Sequence, residues 1–189
     1  MIAKVFLLVQ GTQCISYLSI MVVIHYCAVN FCGPDFFLVK DVEPAKRNSW
    51  VVWEEAGRYP DLIIEILSDS TAKTDHIDKK QLYQNIFRTP EYFWFHSCTL
   101  EFQGFQLSKD MVYEPLPDVN GMKWSNALQM YLGIHNQKLR FYAQDHSLIP
   151  TLAESAQIEH EQAEIERRRA EALATKLQEL GIDPTTISV

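Results

Sequence analysis

The order of apolar and polar positions divides the chain into three stretches: an apolar start (1–32), a segment of short apolar runs broken by turn signals (33–150), and a charged end (151–189). In the middle stretch, residues 36–40, 49–53, 61–67, 92–96 and 100–107 carry the β-branched and aromatic content of strands. Gly33-Pro34, Gly57, Pro60 and Thr89-Pro90 separate these runs as turns. A helix is predicted from residue 75 to about 87, with Thr74 or Asp75 able to cap its start and Pro90 lying just beyond its end. Tyr83 and Phe87 are four residues apart, and Leu82 and Ile86 beside them complete a broad apolar stripe. Residues 139–142 read as a last short strand. The simplest layout is mixed α/β, a central sheet with helices against it.

From residue 152 to 180 the pattern changes to Glu, Gln, Arg and Ala, and Gly181 and Pro184 then end it. A single helix of that length runs about 43 Å at ~1.5 Å per residue. Ala170, Leu173, Leu177 and Leu180 form a narrow late seam, suited to a coiled coil with a second copy of the chain. Packing of this helix on its own domain is the equal alternative.

The formal charge of -7 divides into -4 from residue 151 onward and -3 over residues 1–150, and no broad basic face results. Strong non-specific attraction to nucleic acid is therefore not expected. Cys14, Cys27, Cys32 and Cys98 lack the paired spacing that zinc requires and read as free buried thiols of a cytoplasmic protein. Residues 15–29 are apolar, but Ser16, Ser19 and His25 interrupt them. A buried strand suits this stretch better than a membrane span, which needs ~18 clean residues.

The run Asp61-Leu62-Ile63-Ile64-Glu65-Ile66-Leu67 carries the most chemical information. Alternation puts Leu62, Ile64 and Ile66 on one face and Ile63, Glu65 and Leu67 on the other, so both faces are oily and the strand is central. Glu65 then occupies a site where its charge needs a cation, a metal or a proton. A position near the sheet's end beside a lysine or arginine is the plainer alternative. Two Pro-Asp pairs could supply a metal partner. Asp61 is four residues along the same strand, about 13 Å away at ~3.3 Å per residue, too far for one ion. Asp35 comes from another strand and could lie beside Glu65 if the strands are neighbours. Lys79 shares a helix face with Tyr83 and Phe87, so it can point inward while Lys80 points out. An ordinary solvated pair of Lys79 with Asp75 is the alternative.

Gly33-Pro34-Asp35-Phe36-Phe37, then Tyr59 to Ser68, then Thr71, Asp75, Lys79 and Tyr83, resemble in order the Uma-two family of restriction-endonuclease-like proteins. Phe87-Arg88-Thr89-Pro90-Glu91-Tyr92-Phe93-Trp94-Phe95 is similar to that family's continuation, and the resemblance is read from about Gly33 to Pro184. It implies the PD-(D/E)XK fold, a restriction-endonuclease-like mixed central sheet flanked by helices with a long C-terminal helix. It also implies metal-dependent hydrolysis of DNA phosphodiester bonds. Asp35 and Glu65 would hold Mg²⁺, with Mn²⁺ as substitute and help from the Ile66 carbonyl, and no small-molecule cofactor is expected. The superfamily lysine normally stands two residues after the acid. Leu67 holds that place here, so the catalytic lysine would be Lys79. Residues 1–30 contain no Asp or Glu, unlike the acid-bearing N-terminal helix of family members, and weak activity or none is expected. A catalytically inactive interaction module is the rival reading.

Overall fold

The structure, a computed structural model, describes residues 34–42, 50–68 and 75–180. Expectations for residues 1–32, including Cys14, Cys27 and Cys32, lie outside the described residues. In chain order the elements are β1 (Phe36–Leu38), β2 (Leu62–Leu67), α1 (Asp75–Leu82), a π-helical turn (Tyr83–Phe87), β3 (Glu91–His96), β4 (Phe102–Leu107), β5 (Tyr113–Pro115), β6 (Met122–Ser125), β7 (Met130–His135), β8 (Lys138–Tyr142) and α2 (Leu152–Glu179). The chain divides into two compact units, Met1–Ile149 and Pro150–Val189.

In the first unit, β1 to β5 form a five-stranded mixed sheet in sequence order, and β6 to β8 form a three-stranded sheet. β2 runs antiparallel to β1 and parallel to β3, so the strand with two oily faces is internal. Leu62, Ile63, Ile64 and Leu67 are all buried, but Ile66 is exposed, so the burial of its face of the strand ends at Ile64. One face of the large sheet, through Phe36, Leu38, Leu62, Ile64 and Phe93, packs on Ala127, Leu128, Met130 and Leu132 of the small-sheet region. The other face, through Phe37, Val39, Ile63 and Tyr92, packs on Tyr83 and Tyr113. The restriction-endonuclease-like α/β fold is present, with helix on one face of the large sheet and the second sheet on the other. Close approach requires Gly104 in β4, because a Cβ there would lie 2.6 Å from the Phe93 ring.

Several local expectations change. No strand forms at 50–53, where the Val51 carbonyl accepts from the amides of Glu54 and Glu55 and Val52 accepts from Gly57. With those carbonyls used inside a turn there is no ladder to join, and Trp53 is left exposed. The predicted helix begins at Asp75, and its last five residues are π-helical. The fourth strand starts at Phe102 because Leu100 has φ +61°, outside the strand region. β5, β6 and β7 were not anticipated: β5 and β6 are only 3 and 4 residues long. Cys98 is free but exposed rather than buried, since it stands in the turn after β3.

The two sheets are tied by Glu91, a buried carboxylate at the start of β3. It accepts from the Ser125 hydroxyl at 2.5 Å, the Asn126 amide at 2.7 Å and the Ala127 amide at 3.2 Å. Burial raises its pKa, and these three donors oppose the rise. In the second unit, α2 opens with a capping box between Thr151 and Glu154, and no residue along it is buried. Among the described residues, no helix is long and apolar enough to cross a membrane. Replacing Glu91 by alanine orphans two buried donors and a part-buried one, so urea unfolding of Glu91→Ala should show a loss of about 3 kcal/mol. A loss under about 1 kcal/mol would show that Glu91 does not join the sheets.

Candidate active site

The β1–β2 register pairs Phe36 with Ile64, Phe37 with Ile63 and Leu38 with Leu62. One step further places Asp35 opposite Glu65. Directly opposed residues on antiparallel strands point to the same face, with Cβ atoms about 5 Å apart. Asp35 is turned back over β2, where its Oδ2 accepts from the Ile66 amide at 2.8 Å. The two expected carboxylates therefore share one face, Glu65 buried at 1% exposure and Asp35 at the solvent edge. The contact made at Ile66 is through its amide, the atom that fixes Asp35.

Lys79 and Tyr83 reach the same carboxylate from α1 and the π turn. Lys79 Nζ lies 3.2 Å from Oε2 of Glu65, and the Tyr83 hydroxyl donates to Oε1 at 2.5 Å. The inward direction expected of Lys79 is present, and so is the ion pair that was the plainer expectation for Glu65. Lys80 does not point out to solvent: its ammonium sits 3.5 Å from the centre of the Phe105 ring, and burial lowers its pKa. The four-residue step from Lys79 to Tyr83 keeps both on one face. The π turn that starts at Tyr83 is closed by the Arg88 amide bonding back to the Tyr83 carbonyl, with Arg88 in the left-handed region. Such turns widen a helix locally and recur at functional sites.

Burial is the largest influence on Glu65 and pushes its pKa up to about 7; Tyr83 and Lys79 lower it, while the Asp35 carboxylate raises it. The Tyr83 hydroxyl is pushed upward by burial and by the Glu65 charge, so it remains a proton donor. Asp61 stands at the other end of β2, where Oδ2 accepts from the Lys40 amide at 2.7 Å. It fixes the turn between strands and takes no part in the cluster. Tyr83 was visible in the sequence as a member of an apolar stripe. The available signal was its position four residues after an inward lysine, with a hydroxyl on an otherwise apolar face.

A metal would find two carboxylates here, both hard oxygen donors. Among the described residues, no group of three or more His, Cys, Asp or Glu side chains could hold a metal ion. Two carboxylates suit Mg²⁺, which keeps several waters and often takes one or two protein ligands. The buried, proton-retaining Glu65 is also a group whose ionised form a cation would stabilise. The donor set fits the ion.

A mixed five-stranded sheet with helix on one face and a second sheet on the other is the restriction-endonuclease-like α/β architecture. The family model Uma2, described as putative restriction endonuclease, matches residues 3–141, and the chain belongs to that family. The match begins before Gly33, where the resemblance was read to start, and takes in residues 3–32, which contain no Asp or Glu. It stops at residue 141, inside β8, so α2 lies beyond the matched residues. No curated protein and no solved structure matches the chain. Proteins of the restriction-endonuclease-like class generally use divalent metals.

Because Glu65's folded pKa is raised, its contribution to stability is fully present below about pH 4.5 and is lost as pH rises through about 7. In EDTA, unfolding free energy should fall by on the order of 3 kcal/mol across that window through this group. Glu65→Gln, uncharged throughout, should lack that fall and become relatively more stable as pH rises. Parallel pH dependences for parent and variant would contradict the assignment.

Proposed function

We propose that this protein is a metal-dependent endonuclease that hydrolyses DNA phosphodiester bonds at Asp35, Glu65 and Lys79. The observation that carries the reading is the opposition of Asp35 to a buried Glu65 whose Oε2 lies 3.2 Å from Lys79. Asp35 and Glu65 would hold Mg²⁺, or Mn²⁺ in its place. When bound, the ion supplies Lewis acidity that makes water a usable nucleophile near neutral pH and offsets phosphate charge. Glu65 must first give up its proton, so a pKa near 7 makes the site competent from neutral pH upward. Lys79, sharing the Glu65 carboxylate, would orient the nucleophile or stabilise charge developing on the phosphoryl oxygens. The -7 charge leaves attraction to DNA to local contacts, and free Cys98 suits a reducing cytoplasm.

The second reading is an inactive interaction module, favoured by α2, whose 28 residues include none that is buried. A second copy, joined through Ala170, Leu173, Leu177 and Leu180, is the partner this helix suits. Cleavage of plasmid DNA separates the two. The parent should cut slowly in Mg²⁺ or Mn²⁺, and Asp35→Ala, Glu65→Ala and Lys79→Ala should each cut at least a hundredfold more slowly, a loss of about 2.7 kcal/mol in transition-state stabilisation. Equal, negligible cleavage by parent and variants would favour the module.

A further inference from the structure

Glu65 has different partners on its two carboxylate oxygens, and they differ in freedom. Oε2 faces Lys79, a long side chain that is 14% exposed and reaches from the first helix. Oε1 faces the Tyr83 hydroxyl, carried by a ring that is 1% exposed. That ring is held at 5.5 Å by Phe87 and at 5.5 Å by Tyr92. Its backbone carbonyl accepts from the amides of Arg88 and Thr89, and the adjoining Gln84 accepts from the Tyr113 amide at 2.9 Å. A phenylalanine could occupy the same aromatic cluster, so the packing does not account for the hydroxyl. What the hydroxyl adds is a fixed donor on one oxygen of one carboxylate.

We propose that Tyr83 is a positioning residue: its hydroxyl clamps Oε1 of Glu65 so that the carboxylate presents Oε2, the oxygen Lys79 now touches, to the metal. Lys79 is then the partner that yields when the ion enters, and Tyr83 the one that stays. This rests on the metal-site reading above and adds a division of labour between two residues on one helical face. A carboxylate free to rotate about its last torsion spreads over many orientations, whereas one held by a rigid donor meets the ion already oriented. Outer partners of this kind typically change metal affinity about ten- to hundredfold when removed.

The two partners have opposite expected signs, which a purely structural role would not give. Mn²⁺ binding is followed at pH 8.5 by the electron paramagnetic resonance signal of the free ion, with thermal melting to confirm that each variant is folded. Tyr83→Phe should bind Mn²⁺ tenfold or more weakly than the parent, while Lys79→Met binds it as tightly or more tightly. Tyr113→Phe removes a hydroxyl from the same aromatic cluster without touching Glu65, and should leave affinity unchanged. On the unaltered chain, the ¹³Cζ resonance of Tyr83 should hold its position as Mg²⁺ saturates the site. Parent affinity in Tyr83→Phe, with binding lost in Glu65→Ala, overturns the role of Tyr83 alone. Movement of the Tyr83 resonance to a free-phenol position on adding Mg²⁺ does the same without any variant. Absence of Mn²⁺ binding by the parent overturns the metal site and the clamp together.

Discussion

A carboxylate buried in an internal strand is the constraint around which this unit is arranged. Glu65 has apolar neighbours along β2 on both sides of the sheet, and its charge has little access to water. Burying such a group without compensation costs several kcal/mol. The protein answers with a hydroxyl, an ammonium and a proton: Tyr83 and Lys79 meet the two oxygens, and the raised pKa keeps the group partly protonated near neutral pH. Asp35 works against this arrangement by placing a like charge on the same face. A purely structural buried glutamate would not gain from such a neighbour. Under the proposed function a cation between the two acids would relieve that repulsion.

The scaffold supplies the stiffness that the site needs. One face of the large sheet is closed by the second sheet, fastened through Glu91, and the other by the aromatic cluster around Tyr83. Glu91 and Glu65 show how partners decide the role of a buried acid. Glu91 is met by a hydroxyl and two backbone amides that cannot leave without unfolding a turn. Glu65 has a partner on a flexible side chain, Lys79, and an acidic neighbour at the sheet's solvent edge. The first is a joint, and the second has one partner, Lys79, on a side chain long enough to move.

Much of the site was legible because its chemistry leaves a periodic trace. Glu65 interrupts an apolar run, which alone marks a charge in a dry place. The distance along a strand excludes Asp61 as Glu65's neighbour, whereas the opposition of Asp35 to Glu65 depended on a strand pairing that only the structure gives. Lys79 follows from helical spacing. The fold was less legible where elements are short or local bonds win. Tyr113–Pro115 and Met122–Ser125 are too brief to show alternation. Residues 50–53 have the composition of a strand, but the carbonyls of Val51 and Val52 are satisfied within a turn. Lys80 gave no sign of its place over Phe105, because a lysine's stem and head can part between oil and water. Tyr83 was read for its ring, and the hydroxyl's partner depends on a tertiary contact that composition cannot express.

The proposed function requires Asp35 and Glu65 to form one cation site. Crystals soaked in Mn²⁺ and measured for anomalous scattering test it directly. A shared site gives a peak on the face of β2 that carries Glu65, within roughly 2–2.6 Å of an oxygen of each acid, with Lys79 withdrawn from Oε2. Saturating Mn²⁺ that leaves this position empty, with Lys79 still on Glu65, would contradict it.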